Sequence, residues 1–250
     1  MRQKGFVLLC AAVVGVITVL PCAVARAESL YDQLEEISLK ELSGAERDWR
    51  AVVFEGNSTE TTEYPVKLCF RKGRGEDASE RYCYATQEWD DDDFVWEYPI
   101  FQELRVIDLV RKNLPRKGLL FTARYFGGGS DWRDKITIWT YDEKNDRFVN
   151  IVPDEVSVTS QDEYAIVPVG IGEIESVLVT AHYRWGRDEI HFDPHFYRIS
   201  IYAYSPTGGF QLVGRYMTEK KYPSLEDTSI ISVIGPETDK IKAFISTRAD

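Results

Sequence analysis

The chain has 250 residues, 44% of them apolar and 13% aromatic, with 30 lysines and arginines against 41 aspartates and glutamates for a net charge of −11. That much apolar and aromatic content excludes a disordered chain. The acidic balance argues against nucleic acid or anionic lipid as a partner.

The N-terminus carries Arg2 and Lys4, an uncharged apolar run from Phe6 to Leu20, Pro21 and then Ala25-Arg26-Ala27. Charge, apolar stretch and small-residue cleavage site in that order are the pattern of a secretory signal peptide. The reading is therefore a signal peptide over residues 1–27 and a single all-β repeat domain over 28–250, periplasmic or secreted. A retained anchor is the first rival, but the run is shorter than the roughly 20 residues that span a bilayer. No stable membrane insertion is expected after cleavage. Lipidation at Cys22 is the second rival, and Leu20-Pro21 in front of it lacks the small residues such processing favours. Cleavage after Ala27 removes three basic residues, leaving 27 against 41 and a net charge of −14.

Of the four cysteines, only Cys69 and Cys83 survive that cut. Two cysteines in an oxidising compartment predict one disulfide. A polar turn from Arg71 to Glu80 lies between Val66–Phe70 and Tyr82–Thr86, so a hairpin there sets the two cysteines across from each other. Cross-strand neighbours come within the reach of a disulfide. Two free thiols are the alternative.

Taken in chain order, Ser29 to Glu36 reads as a short N-terminal helix. A first four-stranded unit follows at Ile37–Leu42, Trp49–Glu55, Val66–Phe70 and Tyr82–Thr86. Asp90 to Asp93 read as a solvated linker rather than a calcium site, because four adjacent carboxylates of an extended chain cannot all face one ion. The second and third units are matched copies. Leu119-Leu-Phe-Thr-Ala-Arg-Tyr125 corresponds to Val177-Leu-Val-Thr-Ala-His-Tyr183, and Ile136–Tyr141 to Ile199–Tyr204. Each copy opens with a further apolar run, Leu104–Val110 or Tyr164–Val169, and closes with a strand beginning at Phe148 or Phe210. The spacing between copies grows from 58 to 63 residues, which a longer loop absorbs. Leu104 and Ile107 also have helical spacing, but their place before the matched strand favours β. Half of a fourth unit is expected at Ser229–Ile234 and Lys240–Ile245. Alternation with period two, rich in Val, Ile, Thr and aromatics, is the strand signature. The fold expected is thus all-β, with about three and a half repeated antiparallel meanders arranged as in a β-propeller.

The pattern Val106-Ile-Asp-Leu, a turn, Gly118-Leu-Leu-Phe-Thr-Ala and then Gly127-Gly-Gly resembles the integrin-type FG-GAP propeller repeats in outline. That family's run of aspartates closing on glycine, which binds calcium, is replaced here by the basic turn Val110–Lys117, so the resemblance implies the fold and not the calcium. The stretch from Gly118 to Asp227 also resembles a set of exported bacterial proteins sharing a Gly-Gly-Gly-Ser loop and a Lys-Tyr-Pro-Ser-Leu segment, here Lys221–Leu225. That resemblance implies bacterial origin and no mechanism.

All three histidines, His182, His191 and His195, fall within fourteen residues, with Asp193 between the last two. Alternate residues of an extended chain point the same way, so His191, Asp193 and His195, joined by His182, form a candidate nitrogen and carboxylate set for zinc or a similar metal. The competing reading is a polar loop whose histidines bond to backbone or water; Pro194 interrupts regular extension and no His-Glu-x-x-His motif is present. Gly127–Ser130 reads as a loop between strands rather than a phosphate cradle, since no helix follows it. The sequon Asn57-Ser-Thr59 matters only in a glycosylating host. Nucleophile motifs are absent, and no cofactor is implied. The expected function is a non-enzymatic exported module that binds a protein or polysaccharide, an extracytoplasmic inhibitor or immunity protein being one specific form. A metal-dependent hydrolase using the His182, His191 and His195 loop is the alternative.

Overall fold

The computed structural model describes residues 31–56, 66–73, 79–86, 89–91, 94–110, 116–127, 131–154, 156–190, 192–205, 207–223 and 232–247. The expected signal peptide, Cys22 and the sequon at Asn57 lie outside these residues. About 65% of the described residues are strand, in two sheets of which one curls into a half-barrel.

Three antiparallel meanders make up the body. The first is a separate four-stranded sheet of β1 (Tyr31–Ser38), β2 (Trp49–Gly56), β3 (Val66–Lys72) and β4 (Ser79–Ala85). The second contains β6 (Phe94–Val110), β7 (Arg116–Phe126), β8 (Trp132–Asp142) and β9 (Arg147–Asn150), with β5 (Trp89–Asp91) paired to β6 and β10 (Ser157–Thr159) to β8. The third is β11 (Glu163–Ile171), β12 (Ile174–Arg184), β13 (Phe196–Ser205) and β14 (Gly209–Met217). A pairing of Ile174 with Val110 joins the second and third meanders into one sheet.

Strand alternation sorts the side chains into three cores. Leu119, Phe121, Ala123 and Tyr125 of β7 pack with Trp139 and Tyr141 against Trp49, Val53, Leu68 and Phe70 of the first sheet. Phe70 sits between Phe148 and Trp139, at centroid distances of 4.8 and 5.3 Å. The opposite face of the same strands, Leu120, Ile136 and Ile138, meets Leu178, Tyr202 and Tyr204 of the third meander. Burial on both faces explains why Leu119 to Phe121 are consecutively apolar instead of alternating. The far face of the third meander, Val177, Val179, Tyr197, Ile199 and Ile201, is covered by a helix, α2 (Ile234–Ser246). Each fully buried aliphatic or aromatic side chain in such layers stabilises by about 1.5–3 kcal/mol.

The disulfide is formed between Cys69 and Cys83, which pair directly across β3 and β4. Closing this loop stabilises by about 3 kcal/mol in the chain-entropy description.

Four expectations are corrected. The segment read as an N-terminal helix contributes strand β1, paired along β2 from Tyr31 to Ser38; so short a helix is marginal alone, and the edge of β2 offers backbone partners. The strand expected at Ile37–Leu42 ends at Ser38, and Lys40–Ser43 form a single helical turn, α1. The expected linker at Asp90–Asp93 includes β5, whose Asp90 and Asp91 pair with Val95 and Phe94; Asp92 and Asp93 lie outside the described residues. The half unit at the C-terminus is helical from Ile234 onward, with Ser229–Ile231 outside the described residues. Ile234, Ile241 and Ile245 are buried at helical spacing, Pro236 suits a first helical turn and not a ladder interior, and Ser232 Oγ accepts the Gly235 N–H at 2.8 Å. Glu163 of β11 completes this helix start by accepting the Val233 and Ile234 N–H groups at 2.6 and 2.9 Å.

Candidate binding site

The layers leave two features in which polar side chains converge, at opposite ends of β12–β14. At one end the hydrophobic seam between the second and third meanders turns polar. Arg124 and Asp134 pair across β7 and β8, and the guanidinium holds the carboxylate through Nε and Nη2 at 2.7 and 2.9 Å. Burial raises the Asp134 carboxyl above its ordinary range, with Arg124 opposing that shift. The same guanidinium lies 3.6 Å from the centre of the Trp132 ring. Facing it, the Tyr164 hydroxyl donates to Glu103 at 3.2 Å, and burial pushes its phenol up to about 12.

His182 and His195 are each held by a carboxylate, but by different ones. His182 Nδ1 lies 2.9 Å from Asp162, which also accepts the Thr159 and Tyr183 N–H groups at 3.0 Å. His195 is fully buried, with Nδ1 at 2.7 Å from Glu189 and its ring against Trp185 at 5.1 Å. An ionised carboxylate only accepts, so each imidazole donates its Nδ1–H to the carboxylate that holds it. The His195 Nε2 is enclosed and has no hydrogen-bond partner among the described residues. Glu189 is drawn down to about 2 by Lys221, then by His195 and the Gly186 amide.

These two histidines stand on opposite faces of the third meander. His182 is paired with Arg198 on the face toward the second meander, whereas His195 packs on Tyr183 on the helix face. Asp193 closes a turn by accepting the Ile190 N–H at 2.8 Å, so its side chain is turned back along the loop. His191 lies outside the described residues. Among the described residues, no three His, Cys, Asp or Glu side chains are grouped to hold a metal.

At the opposite end is an open groove of about 640 Å³ lined by residues from all three meanders and their connections. Leu42 of α1 reaches it from the first, Arg116, Tyr141 and Ile151 from the second, and Tyr204 and Thr207 from the third. Arg116 lies over the Tyr204 ring at 5.5 Å and donates to the Tyr141 carbonyl at 3.2 Å. The groove's floor depends on Gly209, whose φ of +69° and approach to the Ile151 carbonyl leave no space for a Cβ. Spacing along the sequence gave no sign of this groove, because its residues are brought together only by packing of the meanders. Among the aromatic side chains, Trp139 and Tyr202 are core, Trp132 is half-covered by Arg124, and Trp185 is exposed.

No protein-family model, curated protein or solved structure matches the chain.

Proposed function

We propose that the chain is an exported, non-enzymatic binding module that holds a polypeptide or polysaccharide in the groove between its meanders. In this reading residues 1–27 are removed on export, and the three meanders stack as successive blades of a propeller-like body, with α2 covering the last. The face-to-face order of the three cores supports the blade reading. The Cys69–Cys83 disulfide is consistent with an oxidising destination. The observation that carries the binding reading is the convergence of all three meanders on one open groove that combines tyrosine rings with arginine and lysine. Grooves of this kind, lined by aromatics and a few placed polar groups, are where ligands are held.

The test is a pull-down from the exported fraction with the tagged chain, run beside Arg116→Glu and Thr207→Glu. A polypeptide or glycan recovered reproducibly by the parent and reduced at least tenfold by either variant is the expected result. Equal recovery by all three, or no reproducible partner, rejects the reading.

A metal-dependent hydrolase built on the histidine loop is the second reading. What favours it is the carboxylate-held imidazole of His195 with its unengaged Nε2, an arrangement that also orients metal-ligating histidines. Metal content below a tenth of an equivalent in protein purified without chelators rejects it. If it is correct, His195→Ala removes both metal and turnover.

A further inference from the structure

Strand register assembles a row of cations that no single segment of the sequence displays. Arg184 pairs with Phe196, His182 with Arg198, Arg198 with Met217, and Ser200 with Arg215. Paired residues share a face of the sheet, so Arg184, Arg198 and Arg215 stand diagonally across β12, β13 and β14. Arg184 and Arg215 are exposed and Arg198 is half-buried. None of the three has an ion pair among the described residues, although the chain as a whole is strongly acidic. The Nε of Arg198 is buried without a hydrogen-bond partner among the described residues. Its pKa is lowered by that burial and by the fields of Arg184 and Arg215. The opposing carboxylate whose field reaches Arg198, Asp162, is already engaged by Thr159, Tyr183 and His182. Phe196 and Met217, 37% and 45% exposed, stand between the arginines.

We propose that this face of β12–β14 is a docking site for an acidic polypeptide segment, with Arg184, Arg198 and Arg215 receiving carboxylates and Phe196 and Met217 receiving an apolar side chain. Guanidiniums match carboxylates through paired N–H donors. Arginine, aromatic residues and methionine are the residue types enriched where proteins meet. A polypeptide is favoured over an acidic glycan because it supplies both charge and an apolar side chain within a few residues. The site lies at the end of the strands away from the groove and does not depend on it.

The test uses the purified chain, a synthetic Glu-rich decapeptide containing Leu and Phe, oligogalacturonate and inorganic phosphate. The peptide is expected to bind more tightly than the other two and to weaken as salt rises. The triple variant Arg184→Gln/Arg198→Gln/Arg215→Gln should weaken peptide binding at least tenfold while its circular dichroism and melting temperature match the parent's. Phe196→Ser should weaken it about threefold or more. Peptide binding that survives the triple variant overturns the proposal, as does tighter binding of oligogalacturonate or phosphate, or no binding of the peptide. Should the triple variant fail to fold, Arg184→Glu alone, at an exposed strand end, carries the same expectation.

Discussion

Asp146 illustrates how one side chain can tie two sheets together. It sits in the β8–β9 turn at φ 47° and accepts from Trp49 Nε1 at 3.0 Å, the Tyr141 hydroxyl at 2.6 Å and Lys72 Nζ at 2.7 Å. Trp49 and Lys72 belong to the first meander, Tyr141 and Asp146 to the second. Lys72, then Tyr141 and Trp49, hold the carboxyl well below its ordinary range. A depressed carboxylate contributes stability that is complete above its unfolded pKa and is lost as pH falls through the folded value. Asp146→Ala should therefore destabilise by about 1–3 kcal/mol at neutral pH, since it leaves the buried Trp49 N–H without a partner. The difference from the parent should shrink as the pH is lowered below the ordinary carboxylate range. Urea unfolding at pH 7 and pH 3 measures both effects, and an equal difference at the two values would contradict this account.

Among elements, α2 shows how a local signal was outweighed. Lys240-Ile-Lys-Ala243 alternates like a strand over four residues, yet Ile234, Ile241 and Ile245 also lie on one helical face. Ser232, Pro236 and Glu237 were legible as helix-start signals, while the alternation and the expectation of another repeat pointed to strand. Burial against the third meander decides between the two patterns. Glu163 connects α2 to β11 through two backbone N–H groups and the Ser232 hydroxyl at 2.6 Å. Glu163→Ala should destabilise by about 1–3 kcal/mol by leaving those N–H groups unpaired, with faster hydrogen exchange in α2 than in β7. Uniform exchange across both elements would show that α2 does not depend on this contact.

For the whole molecule, stability rests on three stacked cores, and the disulfide reinforces the outermost sheet. Cys69→Ser/Cys83→Ser should lower unfolding free energy by about 3 kcal/mol, read as a lower urea midpoint that the parent reproduces once reduced. A double variant as stable as the oxidised parent would show the crosslink to be dispensable. The first meander is packed on the rest mainly through Trp49, Phe70 and their aromatic neighbours. Weakening it should also loosen the groove, whose wall includes Leu42.

By itself the sequence determined the all-β class, the cysteine pair and the strands of the second and third meanders. Each of these follows from local alternation or from symmetry about a turn. It could not reveal which meander faces which, because Leu119 and Leu120 are equally apolar and only packing assigns them to different cores. The histidines looked adjacent in the chain, but the pleat sends His182 and His195 to opposite faces, where Asp162 and Glu189 hold them. The groove and the arginine face were illegible for the same reason. Their members come from separate strands, and register and layer packing, which are long-range properties, bring them together.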